Sequence, residues 1–525
     1  MNSLSDLIFH QNNIYSNSIA LDDENQKINY NILNKEAIKI ASCLKQNASI
    51  GQTFGIIGQR KISVYYSILG VIYSGSSFTP LLLNFKKQKL LSIIKQSNIK
   101  YVIGEYEDIL LFKEMVANSV DLKFIITSKK FDRNSNKNFI FVRDTNKFID
   151  KPIPTDKNDL VYIMFTSGST GDPKGVKISN KNILSFLDSM SKLYPIKSKI
   201  IASQTFDLSF DPSISDIFFT WKIGGTLCIL NEKEKLLPYQ YILRNKINFW
   251  NSVPTIINFM NKMGILKPNI FPSIQYSMFC GEPLPKELAE AWKIAAPNST
   301  IENLYGPTEA TIYITRNKYE SRENDSFYNS IIPIGKVFPS HKIAIINKQN
   351  NKINNGIGEL CFSGEQISEG YLNNQLTTEA NFIKFKWDKS DNIWYKTGDL
   401  GFINDYGEIE CIGRSDLQIK IGGKRIELSE VEHILSKNNE IDDVVVVAIK
   451  NAQNHVESLI AFSEKKINKI NERIFLEKFE QYLDKSFFPK VFYQIEKIPY
   501  TESLKIDRKK LESIAYNKYK TSKNA

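Results

Sequence analysis

Residues Val161–Thr166 (VYIMFT) form an apolar run of strand length, and the chain leaves it through Thr166-Ser167-Gly168-Ser169-Thr170-Gly171-Asp172-Pro173-Lys174-Gly175. A buried strand that opens into a Gly/Ser/Thr loop belongs to layered α/β architectures, where loops at strand ends carry ligands. Glycines at 168, 171 and 175 let backbone N–H groups close on an anion. The hydroxyls of Thr166, Ser167, Ser169 and Thr170 add donors, and Lys174 adds positive charge. A polyphosphate suits that set. The loop is not a Walker A motif, because no Gly-Lys-Ser/Thr follows at the required spacing.

The rest of the chain agrees with α/β layering, as strand-length apolar runs alternate with helical patterns. Ser63–Ser74 reads as a buried helix, and Asn182–Leu193 as a helix with Asn180 as a candidate cap. Pro285 stands where a first-turn proline would open a helix over Lys286–Ala296. Character changes at Gly413. Ser429-Glu430-Val431-Glu432 has a capping-box pattern that starts a helix. Strands at Asp443–Lys450 and Ser458–Ser463 and a helix over Glu472–Leu483 follow. At 525 residues the chain is too long for one core. The expected organisation is a large N-terminal domain of packed sheets with flanking helices, 1–412, and a small α+β domain, 413–525.

Several classes are excluded or disfavoured. The five cysteines, Cys43, Cys228, Cys280, Cys361 and Cys411, show no CxxC spacing, and the four histidines are dispersed, so neither a zinc site nor a disulfide framework is expected. Residues 1–30 lack the basic start and apolar run of a signal peptide, and no apolar stretch is long enough to span a bilayer. A cytoplasmic location is the expectation. The net charge of +11 comes from scattered lysines without interleaved aromatics, which argues against nucleic acid. A basic surface would favour an acidic protein partner.

Four further segments resemble one family together with the loop: Asn303-Leu304-Tyr305-Gly306-Pro307-Thr308-Glu309, Tyr395–Leu400 (YKTGDL), Gly413–Lys420 (GRSDLQIK) and Pro499–Arg508 (PYTESLKIDR). In this order they resemble the adenylate-forming ligases, which include acyl-CoA synthetases, luciferases and peptide-synthetase adenylation domains. The resemblance runs from about Tyr30 to Leu511. It implies binding of ATP by the Thr166–Lys174 loop, with Asn303, Tyr305, Gly306 and Thr308 around the nucleotide. Tyr305 would stack on adenine, Glu309 would hold Mg2+ against the phosphates, and Asp399 and Arg414 would take the ribose. Lys505 would be the catalytic cation. Attack of a carboxylate on the α-phosphate builds negative charge on both partners, which a fixed cation relieves. The family carries glycine before this lysine; here Leu504 stands there, which puts the detailed shape of the loop in question but not its charge. Asp416 matches the hinge about which the family's small, mobile domain turns, bringing in the segment around Lys420–Lys424 with Gly422-Gly423 to meet a pantetheine arm.

The acid to be activated is read from Phe206–Asp216 (FDLSFDPSISD). An α-amino acid brings an ammonium that needs a buried carboxylate, which a fatty acid does not. Phe206-Asp207 and Phe210-Asp211 both fit, and Asp211 is preferred because Ser213, Ile214 and Asp216 continue the family pattern in register. The peptide-synthetase pocket then maps onto Asp211, Pro212, Ser215, Asn251, Met278, Cys280, Leu304, Ile312 and Tyr313, a small and mostly apolar set. Phe279–Leu284 and Tyr305–Thr311 are similar to D-alanine–carrier protein ligases. The expected substrate is a small neutral amino acid, D-alanine among the candidates. No carrier segment follows the small domain, so the acceptor is expected to be a separate phosphopantetheinylated carrier protein. The rivals are an acyl- or aryl-acid:CoA ligase on the same scaffold and a non-catalytic nucleotide-binding scaffold.

Overall fold

A computed structural model of the chain describes residues 3–116, 119–128, 138–166, 173–196, 199–321, 327–414, 418–436, 444–451, 455–464, 476–477, 479–499 and 506–523. It is a mixed α/β structure that divides into two compact units. One comprises Met1–Asn84, Ile93–Phe165 and Gly175–Ser415; the other Phe85–Ser92, Thr166–Lys174 and Asp416–Ala525.

Among the described residues the larger unit is built on two wide sheets and a third, antiparallel one. The nine-stranded sheet has a parallel centre in the order Thr300–Tyr305, Tyr276–Cys280, Phe249–Ser252, Ile201–Gln204, Thr226–Ile229. These strands are buried along nearly their whole length, their polar residues included. One core beside this sheet gathers Trp250, Trp292, Phe271 and Phe279, with ring centroids of Trp292 5.3 Å from Phe271 and 6.1 Å from Trp250. The seven-stranded sheet ends in Leu160–Thr166 and Lys174–Ser179, so the glycine-rich loop joins neighbouring strands. The third sheet contributes the long strand Trp394–Ile403, paired antiparallel with Ile409–Arg414.

The smaller unit carries a three-stranded sheet of Val445–Lys450, Val456–Ser463 and Val491–Gln494. Its period-two pattern is buried on both faces. Val444, Val446 and Ala448 pack with Val431 and Leu435 of helix Leu428–Ser436, while Val445, Val447 and Ile449 pack with Leu511 and Ala515 of helix Arg508–Lys523.

Local differences from the sequence expectation have physical reasons. Helix Asn180–Leu193 is capped by Ser179 in a capping box with Asn182, because Asn180 instead accepts from the Leu4 N–H (2.8 Å) and donates to the Asp156 carbonyl (2.9 Å). Pro285 is the extended residue before helix Lys286–Ala295, not a first-turn residue; its carbonyl accepts from the Leu288 and Ala289 N–H groups. The helix expected at Ser429 begins one residue earlier, at Leu428. Gly422-Gly423 is a two-residue hairpin turn between Gln418–Ile421 and Lys424–Glu427, with φ of +57° and +77° as such a turn requires. The helix expected over Glu472–Leu483 and the start of the strand at Asp443 lie partly outside the described residues.

Candidate active site

In an open parallel sheet, side chains at the carboxyl ends of the strands meet in a crevice. Asn251, Met278, Cys280 and Leu304 all stand at that end of the nine-stranded sheet. The register sets Asn251 beside Met278 and Cys280 beside Leu304 on adjacent strands. Met278 and Cys280, two apart, share a face. Asp211 arrives from the connection after the neighbouring strand Ile201–Gln204 and sits immediately before helix Pro212–Lys222.

Although Asp211 occupies the N-cap position, its carboxylate does not cap the helix. It accepts from the backbone N–H of Ile312 (3.2 Å) and from the side chain of Thr308. Burial is the main influence on its carboxyl and, with the neighbouring Glu309 charge, drives the pKa up to about 7 against those two donors and its own backbone N–H. Among the described residues, no cation is among the groups acting on it. The rival carboxylate, Asp207, is paired with Lys235 at 2.8 Å and Arg60 at 3.3 Å. Arg60 and Lys235 therefore already balance the charge of Asp207, whereas Asp211 is buried and has no cation partner among the described residues.

The residues expected to line an apolar pocket include a hydrogen-bonded polar cluster. The Asn251 amide donates to Asp216 (2.8 Å) and to the Tyr313 hydroxyl (3.0 Å), which also accepts from the Cys280 thiol (3.4 Å). Asp216, Asn251, Cys280 and Tyr313 are all buried, as are Met278, Leu304, Ile312, Pro212 and Ser215. Burial holds the Asp216 carboxyl well above the usual range, against the Asn251 hydrogen bond and the Arg60 charge. The Tyr313 ring packs edge-on against Phe186 at 5.9 Å.

Ile312 reaches Asp211 through an unusual turn. Thr311 and Ile312 have φ of +55° and +73°, left-handed values that cost a β-branched residue about 1–3 kcal/mol each. The turn folds so tightly over residue 306 that a Cβ there would lie 2.4 Å from the Ile312 carbonyl oxygen, which makes Gly306 obligatory.

A second cluster lies on Tyr305, Asp399 and Arg414. Asp399 and Arg414 are register partners across a hairpin, and the guanidinium donates to Asp399 Oδ1 at 2.8 Å. The Tyr305 hydroxyl donates to Asp399 Oδ2, and its ring lies 6.0 Å from that of Phe362. Glu309 is fully buried and accepts from the Tyr371 hydroxyl at 2.7 Å. Asn303 donates to the Ile332 (2.9 Å) and Pro333 (3.1 Å) carbonyls. The Thr166 hydroxyl donates to the Lys174 carbonyl at 3.5 Å, across the mouth of the loop. Ser167, Gly168, Ser169, Thr170, Gly171, Asp416 and Lys505 lie outside the described residues. Sequence reasoning missed Tyr371 as the partner of Glu309 and the inverted turn at Thr311-Ile312. Nothing in a run of Ala-Thr-Ile-Tyr signals a positive φ.

A family model described as AMP-binding enzyme matches residues 8–372. The chain is 30% identical over 515 residues to zwittermicin A synthase ZmaJ of Bacillus cereus, covering 95% of this chain and 93% of that protein. It is 27% identical to a D-alanine–D-alanyl carrier protein ligase of Bacillus licheniformis, with 94% and 96% coverage. Among solved structures, the adenylation domain AlmE of Vibrio cholerae in complex with glycyl-adenosine-5'-phosphate superposes with a TM-score of 0.87 at 26% identity, covering 98% of each chain.

Proposed function

Because this chain belongs to the AMP-binding enzyme family, we propose that it activates a small amino acid with ATP and passes the aminoacyl group to the phosphopantetheine thiol of a separate carrier protein. The observation that carries this reading is Asp211, a buried carboxylate raised to about 7 with no cation acting on it among the described residues. An ammonium group brought by the substrate restores the charge balance that burial withholds. An acyl or aryl acid offers no such group, which disfavours a CoA ligase acting on those acids.

The small size assigned to the acid rests on Tyr313, Met278, Leu304 and Cys280, all buried at positions that the resemblance assigns to the pocket wall. The names of the relatives agree in kind, one being a D-alanyl carrier protein ligase and one solved relative holding a glycyl adenylate.

In the first half-reaction a carboxylate oxygen of the amino acid attacks the α-phosphorus of ATP, and pyrophosphate leaves. In the second a thiolate attacks the acyl carbon, and AMP leaves. Lys505 is assigned to the first transition state, bridging the acyl and phosphate oxygens. The Thr166–Lys174 loop holds the phosphates, Tyr305 faces adenine, and Asp399 with Arg414 takes the ribose. Glu309 is a single buried carboxylate, which suits Mg2+, an ion that keeps waters and phosphate oxygens as its other ligands. Bound there, Mg2+ would neutralise phosphate charge. Asp416 is assigned as the hinge between half-reactions.

The test is ATP–pyrophosphate exchange over D- and L-amino acids alongside fatty and aryl acids. Exchange driven by glycine or alanine supports the reading; exchange driven only by acids lacking an amino group refutes it.

A further inference from the structure

The left-handed turn that presents Ile312 to Asp211 is held by one side chain distant in sequence. Gln366 is fully buried. Its Nε2 donates to the carbonyls of Ala310 (3.2 Å), Thr311 (3.3 Å) and Tyr313 (2.7 Å). The Thr311 hydroxyl returns a hydrogen bond to the Gln366 carbonyl at 2.6 Å. One residue therefore grips the peptides on both sides of the two strained positions.

Gln366 is itself positioned. Its N–H points at His341 Nε2 (3.4 Å), and His341 Nδ1 lies 2.8 Å from the Pro339 carbonyl. That arrangement needs a proton on Nδ1 and a lone pair on Nε2, the neutral imidazole, and burial lowers the pKa of His341 accordingly.

We propose that Gln366 is a positioning residue for amino-acid recognition: by clamping the Ala310–Tyr313 turn it keeps the Ile312 N–H on Asp211, and so sets the carboxylate that receives the substrate ammonium. The proposal rests on the assignment of Asp211 to the ammonium. Left-handed Thr and Ile relax to ordinary φ without the clamp. The Ile312 N–H then leaves Asp211, whose carboxyl loses one of the three hydrogen bonds that favour ionisation. Glu309 and Tyr162 are the titratable groups facing Asp211, so neither supplies a replacement cation.

Gln366→Met keeps the length and removes every donor. Thr311→Val removes only the returning hydrogen bond. With glycine and D-alanine as probes in ATP–pyrophosphate exchange, Gln366→Met raises the amino-acid KM about tenfold or more while the ATP KM stays within about twofold. The pH at which the amino-acid KM climbs moves upward. Thr311→Val shifts both readouts the same way by less, and decides alone if Gln366→Met gives no soluble enzyme. Amino-acid KM and its pH profile unchanged in these variants, with Asp211→Asn still raising KM, overturns the role of Gln366. An unchanged KM in Asp211→Asn itself overturns the underlying assignment. Equal loss in every kinetic constant, matched by loss of titratable active sites, reduces Gln366 to a folding residue and also overturns the proposal.

Discussion

Asp507 donates its backbone N–H to the carbonyl of Pro499 at 2.8 Å, closing the base of the segment that carries Lys505. The next residue, Arg508, grips Glu432 with both guanidinium nitrogens, at 2.6 and 2.9 Å, and donates to the Val446 carbonyl at 2.7 Å. A bidentate fork of this kind fixes direction as well as distance. Pro499 and Arg508, described residues on either side of that segment, are thus both anchored.

Lys505→Ala is expected to lower the rate of adenylate formation by about 100-fold or more, the cost of losing one preorganised donor at about 3–4 kcal/mol, with little change in ATP affinity. Single-turnover formation of adenylate from labelled ATP measures it. Unchanged turnover would end the assignment.

Asp211 sets the pH dependence. Its carboxyl is raised from 3.8 to about 7 in the fold, so folding takes up a proton between those values. The stabilising contribution of the protonated form is complete below 3.8 and is lost as pH rises through about 7. Asp211→Asn is therefore expected to raise the melting temperature of the free enzyme at pH 8 while raising the amino-acid KM. In the unmodified enzyme, amino-acid KM should fall as pH rises from 6 to 8, because only the carboxylate binds ammonium. Asp207→Ala, which disrupts the ion pairs to Lys235 and Arg60 instead, should leave that KM profile in place.

Asp399 offers a different test. Removing its carboxylate strips Arg414 of its cross-strand partner and takes away the ribose acceptor together. Asp399→Ala should raise the ATP KM about tenfold or more, since a lost hydrogen bond to a charged group costs about 1.5–3 kcal/mol. The amino-acid KM should move little. Thermal shift with and without ATP gives an independent reading.

Tyr313→Ala should widen the range of acids accepted. The ring fills buried space beside Cys280 and Asn251, so its loss opens a cavity at a stability cost of about 3–5 kcal/mol, as for other buried aromatics. Exchange across alanine, valine, leucine and phenylalanine would shift toward the larger side chains. Preference unchanged across that series would remove Tyr313 from the specificity wall.

Much of this was legible before any coordinates. Val161–Thr166 is a strand because an apolar run reports local structure well, whereas the neighbouring strand from Lys174 carries no such run. Asn251, Met278, Cys280 and Leu304 were grouped by the family resemblance, and the strand register sets Asn251 beside Met278 and Cys280 beside Leu304. What escaped was long-range and conformational. Gln366 and Tyr371 act on residues more than fifty positions away, and the inverted φ at Thr311 and Ile312 contradicts their own β-branched preference. The expected apolar pocket became partly polar for the same reason: Asn251, Asp216 and Tyr313 find one another only in three dimensions.

The sheet of the smaller unit is clad on both faces by that unit's own helices, Leu428–Ser436 on one side and Arg508–Lys523 on the other. Under the proposed function, in which this unit turns about Asp416 between half-reactions, an interior borrowed from a neighbour would wet apolar surface at every turn, at about 25 cal/mol per Å2. Carrying both linings itself lets such a body change its bearing without melting, and the energy of reorientation is left to surface charges and to whatever ligand it meets.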